Sequence, residues 1–161
     1  MTHPSATQGF TLIEMLVVIA ILGILMAIGF GSYTRWRASS AVMEGAQQFA
    51  RDMDRTRTNA KRDNSCWRIQ PTAKTNTSSY TIQKFKGASC TVVDTPPQTR
   101  TLPAGTRLTY NAVSGTGGLS FVPPYGTTDA SPNTYTVAWG SDANIKRTVR
   151  VTSVLGKTVL K

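Results

Sequence analysis

The sequence predicts an α+β chain: a long N-terminal helix, its first half apolar and its second half amphipathic, packed on an antiparallel β-sheet domain. Three observations predict it. The stretch from Met15 to Thr34 is a run of 20 residues without a charge. No proline falls between Pro4 and Pro71. From residue 66 onward, β-branched and aromatic residues alternate with polar ones between frequent turn signals.

The apolar run comes first. A bilayer core ~30 Å thick needs roughly 20 such residues as helix. A secretory signal peptide is the competing reading, but it wants a basic n-region, and "MTHPSATQG" holds no Lys or Arg. The run is also longer than a usual signal core and lacks an A-x-A site after it. A buried soluble helix would be apolar on one face, whereas this one is apolar all round. The run therefore reads as a retained membrane helix over residues 10–34, with Gly23, Gly29 and Gly31 permitting close backbone approach by another helix.

The helix then continues as its amphipathic half, residues 35–62. Val42, Ala46, Phe49, Met53 and Ala60 recur at helical spacing and mark one buried face. Arg51, Asp52, Arg55, Arg57, Lys61 and Arg62 are read as the opposite, solvated face. One helix from about Phe10 to about Lys61, at 1.5 Å per residue, would be ~80 Å long. "RDNSC" ends it.

Residues 63–161 form the β-rich domain. Candidate strands are 66–70, 78–86, 90–93, 106–113, 119–122, 134–140, 147–154 and 157–160. "PPQ", "PAG", "SGTGG", "PPYG", "SPN" and "LGK" separate them as turns. Strands in succession without an intervening helix make an antiparallel sheet. "PTAKTNTSS" and "YGTTDASPN" read as exposed loops.

Charge is lopsided. From Asn64 onward there are 11 Lys and Arg against 3 Asp, so +8 of the total +10 sits there. A basic surface favours polyanions, although simple solubility explains scattered charge equally well. Cys66 and Cys90 both lie beyond the apolar run. In an exported domain an even count fits one disulfide, closing a loop of about 25 residues. Two buried thiols are the other reading. With the single His3 they make no zinc site. No paired carboxylates, phosphate loop or nucleophile–base set is readable, so neither an enzyme nor a cofactor or metal is expected.

The stretch "GFTLIEMLVVIAILGIL", residues 9–25, resembles the processing site and N-terminal helix of type IV pilins and type II secretion pseudopilins. Gly9, Phe10, Thr11, Leu12, Ile13 and Glu14 all stand where that family has them. The resemblance implies a type IV pilin-like fold. It implies that a prepilin peptidase cuts between Gly9 and Phe10, removing the leader 1–9, and that Phe10 becomes N-methylated. It also implies that Glu14 pairs with the amino terminus of a neighbouring subunit. A carboxylate in lipid costs at least ~2.5 kcal/mol and needs a partner. Cleavage creates one, the Phe10 ammonium, at the same depth; a Glu14 resting at headgroup level is the plainer alternative.

"LSFVPPYG", "TYTVAWGS" and the closing "KRTVRVTSVLGKTVLK" look like the GspH/FimT-type minor pilins and pseudopilins. Phe121, Pro123 and Gly126 match an F-x-P-x-G strand end with one extra residue, and Gly156 with Lys157 matches the closing turn. The resemblance implies a structural subunit, in the inner membrane before assembly and then in a periplasmic or surface fibre. Its expected partners are major and minor pilin subunits and an inner-membrane assembly platform. Its expected role is to initiate or cap the fibre of a pilus or secretion pseudopilus.

The sequence departs from the pattern in three ways. The leader lacks basic residues, and Arg35 with Arg37 on the far side opposes the positive-inside rule. The Gly-Arg-x-Arg element through which some relatives bind DNA during transformation is "GKTV" here. DNA is the alternative partner, with Lys146, Arg147, Arg150, Lys157 and Lys161 as candidates. Alternation puts Lys146, Thr148 and Arg150 on one face and Arg147, Val149 and Val151 on the other, so all five share a surface only if the turn brings Lys157 round. The hairpin holds no aromatic residue to stack on single strands, so duplex-tolerant binding is expected.

Overall fold

The computed structural model describes residues 9–111, 118–128, 134–140, 142–152 and 155–161. The chain divides into two compact units, Met1–Arg37 and Ala38–Lys161. Helix α1, Leu12–Arg62, supplies residues to both.

In the first unit every described side chain from Phe10 to Arg37 is exposed. The helix is long and apolar enough to cross a membrane, with none of its apolar window buried within the chain. Its end carries Tyr33 and Trp36, ring centroids 6.2 Å apart, flanked by Arg35 and Arg37. Aromatic and basic residues together suit a headgroup boundary.

The second unit has its own core. Ala38, Val42, Ala46, Phe49, Met53, Thr56 and Ala60 form one buried stripe of α1, because residues three and four apart share a helix face. The stripe meets two antiparallel sheets. One has the order β3-β2-β1-β5-β6 and the other β4-β7-β8-β9. The strands are β1 Trp67–Pro71, β2 Ser79–Lys84, β3 Gln98–Thr101, β4 Thr106–Asn111, β5 Leu119–Val122, β6 Thr127–Thr128, β7 Thr134–Trp139, β8 Asp142–Thr152 and β9 Lys157–Leu160. Phe49 packs edge-on against Tyr80 of β2 at 4.9 Å and Tyr135 of β7 at 5.1 Å. One helix residue thus joins both sheets. Ile69, Leu108, Leu119, Phe121, Val137, Val149 and Val151 complete the core.

A polar cluster crosses the same interface. The Tyr80 hydroxyl donates to Asp52 Oδ2 at 2.6 Å. Gln48 Nε2 donates to the Tyr80 oxygen at 3.2 Å and to the Thr101 carbonyl at 2.9 Å. Burial, and then the Asp52 carboxylate, hold the Tyr80 phenol well above its ordinary value. Burial does the same to Tyr135.

Several sequence expectations are corrected. Asp52 belongs to the buried stripe and not to the solvated face. Residues 90–93 are not a strand. Cys90 takes a positive φ of 53°, and only Val93 makes an isolated bridge, to Phe85. β3 begins within the expected "PPQ" turn and has no counterpart among the expected strands, and β6 lies in an expected exposed loop, with Thr128 buried. In "PTAKTNTSS", Thr77 is buried and its backbone pairs with Leu108. β8 begins five residues before the expected 147, after a register shift at Ala138/Trp139. The expected strand ends 112–113 and 153–154, and most of "SGTGG", lie outside the described residues.

Candidate functional site

Two groups of residues carry the functional expectations, one in each unit. In the first, Gly9, Phe10 and Thr11 precede the helix, and Phe10 is 79% exposed. The Gly9–Phe10 bond therefore lies in exposed, non-helical chain. Helix α1 starts one residue after Thr11, whose Oγ1 accepts the Glu14 N–H at 3.3 Å. Thr11 is an N-cap with Glu14 at the third helical position, the T-x-x-E pattern of a capping box. A carboxylate there also meets the positive end of the helix. Reading Glu14 by its neighbours in the fibre misses this local role, although the spacing "TLIE" announces it. The carboxylate itself is exposed.

In the second unit, Cys66 and Cys90 are bonded, with Cα atoms 5.2 Å apart and a sequence separation of 24. Cys66 is fully buried, and its carbonyl accepts from the Phe85 N–H at 2.8 Å. Arg68 lies 4.7 Å over the Phe85 ring and donates to the Cys90 carbonyl. The bond ties the 86–95 loop to the start of β1.

Strand register sorts the cationic candidates. Val149 and Val151 are buried, so Lys146, Thr148, Arg150 and Thr152 point away from the core. β9 pairs Thr152 with Lys157 and Arg150 with Val159. Thr148 and Lys161 exchange both backbone hydrogen bonds at 2.8 Å. Directly paired residues share a face. Lys157 and Lys161 therefore join Lys146 and Arg150 on the outer face, and no unusual twist is required.

Arg147 does not join them. It pairs with buried Val137 on the core side, half-buried, and donates to the Lys146 carbonyl at 3.1 Å. Arg107, which sequence reasoning missed, takes its place. It pairs with Ala138, and Ala138 pairs with Lys146 on the other side. Only topology reveals this, because Arg107 and Lys146 are far apart in the chain. Arg107 is half-buried and the other four are exposed. Thr109, Thr136 and Thr148 form a hydroxyl row between them. Among the described residues, no Asp or Glu side chain shares this face and none of the five cations makes an ion pair.

The strand end and the closing turn also meet. A Cβ on Gly156 would stand 2.9 Å from Phe121 Cε1 and 3.4 Å from the Gly126 carbonyl. The hairpin has no aromatic residue of its own, but the turn carrying Tyr125 packs against it.

Two family models match. That for the prokaryotic N-terminal methylation motif covers residues 4–30, and that for type II transport protein GspH covers residues 45–155. Solved structures share the fold. The type IV minor pilin FimU of Pseudomonas aeruginosa matches with a TM-score of 0.57 at 18% identity, over 80% of this chain and 90% of that one. The minor pseudopilin EpsH from the type 2 secretion system of Vibrio cholerae matches at 0.55 and 16%, over 74% and 95%. The GspH model spans α1 from Gly45 onward and strands β1 to β8, and the methylation motif spans the cap and most of the apolar run: the chain belongs to the GspH family of type II transport proteins.

Proposed function

We propose that the chain is a minor pilin or pseudopilin, a non-enzymatic structural subunit that helps initiate or cap a fibre. It is anchored in the inner membrane by residues 10–34, with the domain outside, and is later incorporated into the fibre. A prepilin peptidase removes residues 1–9, and Phe10 is N-methylated. Glu14 then pairs with the amino terminus of a neighbouring major or minor subunit as an assembly platform extracts the helix.

The observation that carries this reading is the join of Gly9 and Phe10 in open chain to a capped, wholly exposed apolar helix. Intact mass of the membrane-extracted protein tests it. The expected product begins at Phe10 and carries one methyl group. A mature chain that keeps Met1 or begins after Gly31 would refute it.

A second reading is DNA uptake, supported by the acid-free face of Arg107, Lys146, Arg150, Lys157 and Lys161. Phosphate contacts of this kind position a duplex without reading its sequence. Three contacts give a log–log salt slope of about −2.7, an affinity loss of about 40-fold between ~50 and ~200 mM salt. Fluorescence anisotropy with a labelled duplex measures it. Lys157→Gln with Arg150→Gln should abolish binding, and no binding at low salt ends this second reading.

A further inference from the structure

The turn at 123–126 is wedged between the C-terminal part of α1 and the turn that joins β8 to β9. Gly126 and Gly156 take φ of 63° and 67°, a region L side chains rarely adopt. Space forbids a side chain as well. A Cβ on Gly126 would stand 2.9 Å from Arg57 Cγ and 3.0 Å from Lys61 Cε. With Gly156 against Phe121 and the Gly126 carbonyl, both neighbours of the turn are held.

This fixed turn presents Tyr125, which is 71% exposed. Fixed backbone matters, because a ring on it has only its own side-chain torsions to lose on binding. Lys61 and Lys157 are exposed and Arg57 is half-buried. Among the described residues, none of the three makes an ion pair. The neighbouring carboxylate is Asp54, three residues before Arg57, and it accepts the Thr158 hydroxyl at 2.7 Å.

We propose that Tyr125 is a stacking platform for an unpaired nucleobase, with Lys61, whose Cε lies against Gly126, taking a flanking phosphate, so that single-stranded nucleic acid is the preferred polyanion. This rests on the nucleic-acid reading above and departs from the duplex-tolerant binding that the aromatic-free hairpin predicts. A sheet face of cations and threonines contacts backbone alone and is indifferent to base pairing. An exposed ring distinguishes the two forms, because only a single strand offers the open face of a base.

The test is fluorescence anisotropy of the full chain in neutral detergent, with a labelled oligothymidylate and a labelled duplex of equal length. The single strand should bind more tightly. Tyr125→Ala should weaken it about tenfold, within the range of base–aromatic stacking, and leave the duplex unchanged. Tyr125→Phe should retain the wild-type affinity, since stacking needs the ring and not the hydroxyl. If Tyr125→Ala binds the single strand like wild type while the duplex still binds, the platform is wrong and the sheet-face reading survives. If Tyr125→Ala and Tyr125→Phe weaken binding alike, the loss is not stacking and the proposal falls. If the wild-type chain binds neither nucleic acid at low salt, both readings fall together.

Discussion

Replacing Tyr80 by Phe should destabilise the 38–161 unit by about 2 kcal/mol, far more than the loss of one exposed hydroxyl. The Tyr80 ring is fully buried, and its hydroxyl donates to Asp52 Oδ2 at 2.6 Å, with Asp52 only 9% exposed. Phenylalanine keeps the ring contact with Phe49 and removes the donor. A hydrogen bond to a charged group is worth ~1.5–3 kcal/mol, and a buried carboxylate left without it bears the desolvation cost. Gln48 loses one acceptor but keeps the Thr101 carbonyl at 2.9 Å, so its share of the loss is small. For about 124 residues, ~2 kcal/mol lowers the midpoint by roughly 8 °C. Thermal unfolding followed by near-ultraviolet circular dichroism reads the aromatic core directly. The reasoning also fixes the double variant. Tyr80→Phe with Asp52→Leu removes both partners and should recover most of the loss, because an apolar pair leaves nothing unsatisfied. A single variant within about 0.5 kcal/mol of wild type, or a double variant no better than the single, would refute the assignment of energy to this bond.

Glu14→Ala should insert in the membrane at least as well as wild type, since it deletes a carboxylate that costs at least ~2.5 kcal/mol in lipid. It should enter fibres at least about tenfold less, and normal assembly by quantitative immunoblot of sheared fibres would remove Glu14 from the pairing role. Cys66→Ala with Cys90→Ala should cost roughly 3 kcal/mol through the freed loop of about 25 residues. Thiol labelling of denatured, unreduced wild type should find no free sulfur. Stability should fall in alkali. The folded-state values of Tyr80 and Tyr135 are raised, so their stabilisation is complete below the ordinary phenol value of about 10 and is lost as pH rises beyond it. A thermal midpoint unchanged well above pH ~10 would contradict that.

Legibility in the sequence followed burial. The α1 stripe could be read because Val42, Ala46, Phe49, Met53 and Ala60 are all buried and helically spaced. The charge of Asp52 points to the solvated face, although it sits three residues after Phe49 and four before Thr56, within the stripe. β3 was invisible because all four of its residues are exposed and nothing alternates. "CTVV" has strand composition, but its first residue is bonded to Cys66 and turns through a positive φ. Alternation separated Lys146 and Arg150 from Arg147 correctly. The membership of Lys157, Lys161 and Arg107 depended on strand register, and the approach of the Tyr125 turn to Gly156 on tertiary packing. Neither has a local signature.

The two units place different demands on their surroundings. Leu12, Ile13, Ile24 and Met26 are all more than 60% exposed, so the apolar helix needs lipid or other helices to cover it. Lipid tails are as apolar as leucine, so exchanging one cover for the other gains little from the hydrophobic effect. What differs between bilayer and helix bundle is close packing and polar pairing. Gly23, Gly29 and Gly31 have open space around them, ready for a neighbouring backbone. The Glu14 carboxylate is exposed and open to a cation. Both features serve any subunit that carries the same helix. The choice among neighbours must then come from the exposed surface of the 38–161 unit, where the described ion pairs leave Arg107, Lys146, Arg150, Lys157 and Lys161 uncommitted.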